Sequence, residues 1–481
     1  MAEYETVVGL EVHCELSTRT KLFCGCANAF GAEPNTNVCP VCLGLPGSLP
    51  VLNEQAVELA MRIGEALHCE IRPSIFHRKN YFYPDMPKDY QISQYDEPIN
   101  VDGRLELPDG SRVGIVRAHM EEDTGKTTHV GGGGRIHEAG HSLVDYNRAG
   151  VPLVEIVSAP DITSAAQARA YVAELRAILV ATGASDGRME EGSLRVDANV
   201  SIRRAGSDEL GTRCEVKNLN SLRSLGRAIE HEADRQASLV DSGERVTQET
   251  RHWDENASRT HSLRSKEEAY DYRYFPEPDL VPLVPDEALR QRASSALGLM
   301  PAARRARLQA ALGGAEHARA LMDQIGTVIE LSLDDLVLAA SAGGADPKHA
   351  LNRAANELAS QGERARALDP VSFTSLLALE SSGTLSATQV KAVLPELVEH
   401  GGDPAEVARR HGFEQLGTEE LESAIDGVIS ASPTEWERYV SGDARIAGFL
   451  AGQVMKATRG RANGKVVAEA LAARRAGVSA R

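Results

Sequence analysis

The stretch Val7-Val-Gly-Leu-Glu-Val-His-Cys-Glu-Leu16 alternates between apolar and polar side chains. Successive side chains of a β-strand point to opposite faces of a sheet, so a period of two predicts a strand with one buried face and one polar face. The polar positions are Glu11, His13 and Glu15. A carboxylate and an imidazole two residues apart would stand about 7 Å from each other on that face. A solvated edge strand has the same pattern, so this stretch alone does not identify a functional site.

The same alternation recurs in later segments, at residues 114–120, 195–202 and 213–217. Their polar positions include Arg195, Asp197, Asn199, Glu215 and Lys217. Placed in one sheet, these strands would line one face with side chains of both charge signs, which suits a metal ion, phosphates and a polar substrate. A helix is predicted over residues 164–182, where Ser164 and Gln167 form a capping-box pair.

Composition changes near residue 290, because 16 of the 21 aromatic residues and 15 of the 21 prolines lie before it. After it the chain is rich in Ala, Leu, Arg and Glu, and Asp-Pro recurs at residues 346, 369 and 403. Each Asp-Pro predicts a helix start, because Asp is a good N-cap and proline fits the first helical position. We therefore predict an α+β fold, with a largely antiparallel sheet and helices over 1–290 and an all-α half over 291–481 that divides near Leu368. The proline-rich residues 272–285 should be extended.

The 481 residues are 42% apolar and 25% charged, which is typical of globular domains rather than of a disordered chain. No run approaches the ~18 apolar residues of a membrane span, and the opening MAEYETVV lacks the basic residues of a signal peptide, so we expect neither. The net charge of −17 argues against a protein that coats nucleic acid indiscriminately. Residues 456–481 nevertheless carry seven Lys and Arg against the single acid Glu469. This leaves open a local nucleic-acid contact or a solvated basic helix.

Four of the seven cysteines form two close pairs, Cys24-Gly-Cys26 and Cys39-Pro-Val-Cys42. Four thiolates suit tetrahedral zinc, and the predicted site is structural because no ligand position is left open. The seven cysteines are too few and too clustered for a disulfide framework, so we expect a reducing cytoplasm. We interpret the remaining cysteines as core fillers; these are Cys14, Cys69 and Cys214.

Carboxylates occupy two unusual positions. Glu155 lies within the apolar run 151–157, where a buried carboxylate must be protonated, paired with a cation such as Arg148, or bound to a metal. The acidic cluster Glu121-Glu-Asp123 ends a predicted strand. The Gly125-Lys-Thr127 that follows resembles the end of a phosphate-binding P-loop, but the opening glycine of that motif is missing. No self-contained nucleophile motif such as G-x-S-x-G is present.

One series of motifs extends along the chain: YETVVGLEVH at 4–13, RKNYFYPD at 78–85, EEDTGK at 121–126, VDYNRAGVPLVE at 144–155, DAN at 197–199, EVKNLN at 215–220 and RSKEEAYDYRYFP at 264–276. Together with the cysteine pairs, this series closely resembles the GatB family, the B subunits of bacterial aspartyl/glutamyl-tRNA amidotransferases. The resemblance covers essentially the whole chain and is most specific before residue 290.

The resemblance implies three parts: a catalytic cradle with the zinc site over 1–290, a helical domain over 291–368, and a YqeY-like tail domain over 369–481 that binds tRNA. It implies that ATP phosphorylates the side-chain carboxyl of glutamate on tRNA(Gln), or of aspartate on tRNA(Asn), and that ammonia then displaces the phosphate. The ammonia would come from glutamine hydrolysed in a separate amidase (A) subunit, with a small C subunit completing a heterotrimer. The sequence leaves open which charged tRNA is the substrate.

The resemblance also implies a set of catalytic residues that hold Mg²⁺ or Mn²⁺ and so neutralise the phosphates during transfer. These are Glu11, His13, Glu122 and Glu155. Strand alternation instead places Glu121 or Asp123 beside His119, so the choice of Glu122 depends on the resemblance alone. The candidates for phosphate or carboxylate contacts are Lys79, Arg195 and Lys217.

Two other functions fit parts of the sequence. A zinc-stabilised RNA-binding or assembly module without catalysis would use the cysteine pairs and the basic tail, but it leaves the recurring metal-ligand residues unexplained. A stand-alone ATP-dependent amide ligase acting on a free amino acid would use the charged face, but it needs no tRNA-binding tail and lacks an ammonia source.

Overall fold

The computed structural model of the chain describes residues 4–131, 139–265, 272–314, 319–413, 418–443, 445–458, 462 and 464–479. The chain divides into two compact units, Met1–Ala302 and Ala303–Arg481. Part of the motif at 264–276 lies outside the described residues, as do three of the basic tail residues, Arg459, Arg461 and Arg481. Across the described ranges, no helix is both long and apolar enough to cross a membrane.

The first unit is built on one large sheet. The strands of this unit are β1 (Tyr4–Glu15), β2 (Glu70–Ile71), β3 (Ile75–Asn80), β4 (Tyr90–Glu97), β5 (Asn100–Glu106), β6 (Arg112–Glu122), β7 (Lys126–Val130), β8 (His141–Asp145), β9 (Pro152–Ser158), β10 (Leu194–Arg204), β11 (Cys214–Lys217), β12 (Glu249–Asp254), β13 (Arg259–Ser265) and β14 (Phe275–Pro276). Within the described residues, twelve of them join in the order β13-β12-β11-β10-β1-β9-β6-β4-β3-β14, with β5 on β6 and β2 on β5, while β7 and β8 form a separate hairpin. Neighbouring strands are antiparallel except for β11 and β12.

The apolar face of this sheet is buried beneath helices. Leu10 and Val12 of β1 have no exposed surface, and they share one apolar cluster with Val154 and Ile156 of β9 and with residues of the helices. The helices are α1 (Glu54–Ala66), α2 (Ala165–Ala181), α3 (Leu222–Asp241) and α4 (Glu287–Ser295). The polar positions of β1 therefore lie on the face away from this core, and the predicted α+β fold with a largely antiparallel sheet is confirmed.

Two local predictions can be compared with the structure. The predicted helix over 164–182 is α2, and Ser164 Oγ accepts a hydrogen bond from the backbone N–H of Gln167 at 3.1 Å. Gln167 Oε1 accepts from the backbone N–H of Thr163 rather than of Ser164, so the capping box is not closed as predicted. The proline-rich segment after residue 271 is extended, since β14 pairs with β3 and Leu283 bridges to Ser74.

The second unit consists of helices in its described residues. They are α5 (Pro301–Ala311), which begins at the end of the first unit, α6 (Arg319–Glu330), α7 (Asp334–Ala342), α8 (Pro347–Arg353), a π-helical turn (Ala354–Leu358), a 3₁₀ segment (Ala359–Ala367), α9 (Pro370–Ser381), α10 (Ala387–His400), α11 (Pro404–Arg410), α12 (Thr418–Ala431), α13 (Pro433–Val440), α14 (Ile446–Ala457) and α15 (Gly464–Ser479). The three predicted Asp-Pro starts are confirmed, because Asp346, Asp369 and Asp403 each accept a hydrogen bond from a backbone N–H of the first turn.

Two apolar clusters stabilise these helices. One contains residues from Leu308 to Ala408, and the other contains residues from Ile425 to Leu471. Leu368 is buried inside the first cluster, so the apolar packing is continuous across the predicted boundary. Among the described residues, the second cluster consists of residues beyond 417. The division into a helical domain and a tail domain at residue 368 stays a prediction about domain function.

Candidate active site

Three neighbouring strands bring polar side chains together on the face of the sheet opposite the core. In the strand register, His13 of β1 lies opposite Glu155 of β9, which in turn lies opposite His119 of β6. Glu121 shares the face of His119, because it is two residues further along the same strand. On the other side of β1, His13 lies opposite Arg195 of β10. The predicted face with side chains of both charge signs is therefore present.

The distances within this group suit a metal ion better than hydrogen bonds. His13 Nε2 lies 3.5 Å from Glu155 Oε2 and 3.7 Å from Glu121 Oε1, which is beyond hydrogen-bond range. Ligand atoms from these three residues all lie within 4.8 Å of one another. Atoms that share a divalent ion at about 2.1 Å stand roughly 3 Å apart, so a small contraction would complete the site. Two carboxylates and one imidazole fit Mn²⁺ or Mg²⁺, with the imidazole favouring Mn²⁺. We call His13, Glu121 and Glu155 the metal-ligand cluster.

His119 lies at the edge of the metal-ligand cluster. Its side chain is fully buried, and its Nε2 is 3.7 Å from Glu155 Oε2 and 3.8 Å from Glu121 Oε2. Neither ring nitrogen has a hydrogen-bond partner in the described part of the chain. A buried polar atom without a hydrogen-bond partner costs folding free energy. Such atoms are typical of sites that bind a ligand or an ion.

The charges around the cluster shift the pKa values of its members in opposite directions. Burial alone would lower the pKa of His13, but Glu155 and Glu121 raise it to about 9. Burial alone would raise the pKa of Glu155, but His119, His13 and Arg117 hold it well below its usual range. Near neutral pH, Glu155 is therefore ionised and His13 carries a proton that a bound metal ion would have to displace.

Glu11 lies beside the metal-ligand cluster, one step along the same face of β1. Its Oε1 accepts a hydrogen bond from Asn199 Nδ2 at 2.9 Å. Burial raises the pKa of Glu11, and the nearby charges of Glu155 and Glu215 raise it further. A cation that enters the site would stabilise the ionised form of this carboxyl, which the neighbouring carboxylates disfavour.

Glu122, which the family resemblance implies as a metal ligand, lies outside the metal-ligand cluster in the structure. Side chains alternate along β6, so Glu122 points away from the face that carries Glu121. Glu122 Oε1 instead forms an ion pair with Lys88 and accepts a hydrogen bond from the backbone N–H of Ile92 at 2.9 Å. Both charged side chains are almost completely buried. Glu121, which the alternation indicated, occupies the position beside His119.

Arg148 is not the cation that stabilises Glu155. Arg148 Nε lies 3.3 Å from Asp123 Oδ2 and donates to a backbone carbonyl. The cation beside Glu155 is Arg117, whose guanidinium lies 3.5 Å from Glu155 Oε1. The sequence reasoning missed Arg117, although it occupies a polar position of the alternating segment 114–120, two residues before His119.

The three predicted phosphate-binding cations are not equivalent. Arg195 donates to Asp123 Oδ2 at 2.7 Å, and Lys217 donates to Asp197 Oδ2 at 2.5 Å. Both cations also line a cleft next to the polar face. Lys79 lies on β3, two strands beyond β6, where its ammonium group stands over an aromatic ring. Arg195 and Lys217 are therefore brought to the cleft together, and Lys79 is not.

The cleft has a volume of about 1540 Å³. Its floor includes the ends of β1 and β10, with Glu15 and Asp197 from the charged face. Burial, and after it the neighbouring Asp123, raises the pKa of Glu15 to about 7. Pockets for ordinary small molecules measure about 300–1000 Å³, so this cleft has room for a nucleotide and the end of a larger substrate. The cations along its wall are Lys126, Arg148, Arg195 and Lys217.

The four clustered cysteines converge as predicted. Their sulfur atoms all lie within 4.8 Å of one another, and Cys39 Sγ and Cys42 Sγ are 3.8 Å apart. Sulfur atoms bound tetrahedrally to zinc at about 2.3 Å stand roughly 3.8 Å apart, so the site fits zinc. The other cysteines are buried or partly buried and form no disulfide, which agrees with their interpretation as core fillers; they are Cys14, Cys69 and Cys214.

The loop that carries the cysteines is tied to one wall of the cleft. We call residues 24–42 the zinc loop and residues 144–148 the arginine loop, because the latter includes Arg148. Asn35 donates from its backbone to Asp145 Oδ1 at 2.9 Å and accepts from the backbone N–H of Tyr146 at 2.7 Å. Asn147 adds two further hydrogen bonds between the loops. The zinc loop therefore fixes the position of the arginine loop.

Comparison with known proteins identifies the family of the chain. The family model described as GatB/GatE catalytic domain matches residues 6–291, and the one described as GatB domain matches residues 335–474. The B subunit of the aspartyl/glutamyl-tRNA(Asn/Gln) amidotransferase of Frankia casuarinae is 50% identical over 484 residues, which cover 98% of this chain and 95% of that protein. The B subunits of the same enzyme from Carboxydothermus hydrogenoformans and Anaeromyxobacter dehalogenans are 47% and 48% identical; the alignments cover 98% and 97% of this chain and 98% of each relative. The chain therefore belongs to the GatB family.

Proposed function

We propose that this chain is the B subunit of a glutamine-dependent aspartyl/glutamyl-tRNA amidotransferase. Its first unit would carry out the ATP-dependent transamidation of Glu-tRNA(Gln), Asp-tRNA(Asn) or both. The observation that supports this proposal most is the metal-ligand cluster on a charged sheet face beside a cleft of about 1540 Å³. The proposed partners are an amidase (A) subunit, a small C subunit and the misacylated tRNA, and the proposed compartment is the cytoplasm.

In the first step an oxygen of the substrate carboxylate attacks the γ-phosphorus of ATP, the bond to the β,γ-bridging oxygen breaks, and ADP leaves with the electron pair. Both reactants are anions, so catalysis depends on positioning and on neutralising charge. His13, Glu121 and Glu155 would hold the ion, and Glu11 would face it from the side. A bound Mg²⁺ or Mn²⁺ supplies positive charge at the phosphates.

In the second step ammonia attacks the carbonyl carbon of the acyl phosphate. The bond from that carbon to the phosphate oxygen breaks, phosphate leaves with one of the original carboxylate oxygens, and the nitrogen loses a proton. We assign Arg195 and Lys217 to the anionic groups of the substrates, because both cations line the cleft. Lys79 is a weaker candidate, because it lies two strands beyond β6.

The zinc site and the other domains would support catalysis by positioning loops and by binding tRNA. We propose that the four clustered cysteines bind structural zinc and that this metal keeps the arginine loop in place. We propose residues 1–290 as the catalytic cradle, 291–368 as a helical domain and 369–481 as the YqeY-like tail that contacts tRNA. Phosphate contacts by the basic residues near the end of the tail would make tRNA binding sensitive to salt.

The test uses the chain reconstituted with its amidase and small subunits and supplied with Glu-tRNA(Gln), Mg²⁺, glutamine and ATP labelled in the γ-phosphate. Glu121→Gln, Glu155→Gln and His13→Ala should each reduce charged-tRNA-dependent ADP formation by at least about 100-fold. Hydrolysis of glutamine by the amidase subunit should persist.

The matched control is Glu106→Gln, which removes an exposed carboxylate from β5 of the same sheet. This variant should phosphorylate and amidate like the wild type. Wild-type rates in all three cluster variants would show that these side chains are structural and that the active site lies elsewhere on the charged face.

A further inference from the structure

Lys21 has no exposed surface, which is rare for a lysine. Its ammonium group donates to the backbone carbonyl of Asn37 at 2.9 Å and points at Cys42 Sγ at 3.7 Å. Among the residues that the structure describes, no carboxylate lies within ion-pair distance of it. Lys21 is also held in place by its backbone, because its N–H donates to the carbonyl of Cys26 at 2.9 Å.

A buried ammonium needs a negative charge nearby. Burial of an unpaired ion costs several kcal/mol, and a carbonyl dipole offsets only part of that cost. The nearest group that can carry a full negative charge is Cys42, which also accepts a hydrogen bond from the backbone N–H of Cys39 at 3.1 Å. A neutral thiol is a weak acceptor and would leave the ammonium without a counter-charge.

A loaded zinc site supplies this charge. Zn²⁺ with four thiolates has a net charge of −2, and the thiolate that faces Lys21 belongs to Cys42, which is only 5% exposed. We propose that Lys21 is the buried counter-ion of the zinc tetrathiolate and raises the affinity of the zinc loop for its metal. The proposal depends on the zinc site proposed above. Lys21 does not bind the metal, so it is a positioning residue that acts through Cys42.

The test measures metal affinity in the full chain. Lys21→Met keeps most of the length and the apolar stem of the side chain but removes its charge. Lys348→Met, at an exposed position in the second unit, is the matched control. Each protein is titrated with Co²⁺, and the absorbance of the sulfur-to-cobalt charge-transfer band is followed. Competition with a chromogenic chelator then gives the affinity for Zn²⁺.

We expect Lys21→Met to bind zinc 10- to 100-fold more weakly than the wild type, as is typical when a partner of a metal ligand is removed. At saturation the charge-transfer band should be unchanged, because the four sulfur ligands remain. Lys348→Met should match the wild type. Affinities within two-fold of the wild type for Lys21→Met would overturn the proposal.

A second variant decides the case in which Lys21→Met shows no charge-transfer band at all. Lys21→Arg keeps the charge, so recovery of cobalt binding in it would support the counter-ion role. Failure of both variants would mean that the shape of the side chain matters rather than its charge, which overturns the proposal. A wild-type chain without a thiolate band would refute the zinc site itself, and Lys21 would lose its role with it.

Discussion

Glu121 and Glu122 are adjacent in sequence, but we predict different roles for their carboxylates. Glu121 faces the metal-ligand cluster, whereas Glu122 lies on the other side of β6 in an ion pair with Lys88. Glu121→Gln and Glu122→Gln both replace one oxygen by a nitrogen, so the two variants have nearly the same size. We expect the first to lose metal affinity and the second to lose stability.

The expected losses of metal affinity and of stability follow from the surroundings of the two carboxylates. Loss of one of three protein ligands in Glu121→Gln should weaken Mn²⁺ binding by at least about 100-fold, or about 2.7 kcal/mol. Glu122→Gln leaves the ammonium of Lys88 buried without its partner, and breaking a buried ion pair costs about 3–5 kcal/mol. At roughly 2–4 °C per kcal/mol for a large domain, the melting temperature should fall by about 6–20 °C.

Two assays on the full chain check the pair. Electron paramagnetic resonance of free Mn²⁺ gives the metal affinity, and thermal unfolding followed by circular dichroism gives the stability. Below the melting temperature, Glu122→Gln should bind Mn²⁺ like the wild type. Loss of Mn²⁺ binding in Glu122→Gln at unchanged stability, with normal binding in Glu121→Gln, would show that Glu122 and not Glu121 is the metal ligand.

Three further predictions concern other parts of the chain. Burial opposes ionisation of Glu232, but hydrogen bonds from Arg235 and Gln236 lower its pKa, so its stabilisation is present above the unfolded pKa of about 4.3 and is lost as pH falls through the folded value. Glu232→Gln should therefore destabilise the chain by about 3 kcal/mol at pH 7, measured by urea unfolding. Between pH 5 and pH 3 the variant should lose less stability than the wild type, because it lacks this carboxylate; an equal loss in the two proteins would contradict the prediction. Removal of zinc by a chelator, or Asn35→Ala, should release the arginine loop and raise the KM for charged tRNA more than it lowers kcat; an unchanged KM in both would show that the two loops are not coupled. Deletion of 411–481 should weaken tRNA binding in a filter assay and spare glutaminase activity in the assembled complex, and an unchanged affinity would exclude the tail as a tRNA contact.

Much of the fold follows from local patterns in the sequence. Alternation in 7–16, 195–202 and 213–217 places the polar and apolar faces correctly, because this period is a property of the strand itself. In 114–120 it does so only from Arg117 onward, because a bulge between Ile115 and Arg117 shifts the register and leaves Val116 exposed. The Asp-Pro pairs mark three helix starts for an equally local reason, since Asp caps the first turn and proline needs no hydrogen-bond donor there.

The site is harder to predict from the sequence, because its contacts join strands that are neighbours in the sheet but far apart in the sequence. Arg148 is closer in sequence to Glu155 than Arg117 is, yet the register of β6 and β9 brings Arg117 to that carboxylate. Glu122 matched a family motif, but the alternation along β6 gives the position in the cluster to Glu121. The packing across Leu368 likewise depends on helices that meet only in the folded unit.

The central claim is that the side-chain carboxyl of the misacylated amino acid is activated by phosphorylation at the metal-ligand cluster. It is tested most directly by charging tRNA(Gln) with glutamate labelled with ¹⁸O in its side-chain carboxyl. The reconstituted wild-type complex is then supplied with ATP, Mg²⁺ and glutamine, and the released phosphate is analysed by mass spectrometry. Phosphorylation of the carboxyl at the cluster predicts one ¹⁸O in the phosphate for each Gln-tRNA formed, and neither product with Glu155→Gln. Phosphate without ¹⁸O, released while Gln-tRNA accumulates, would contradict it.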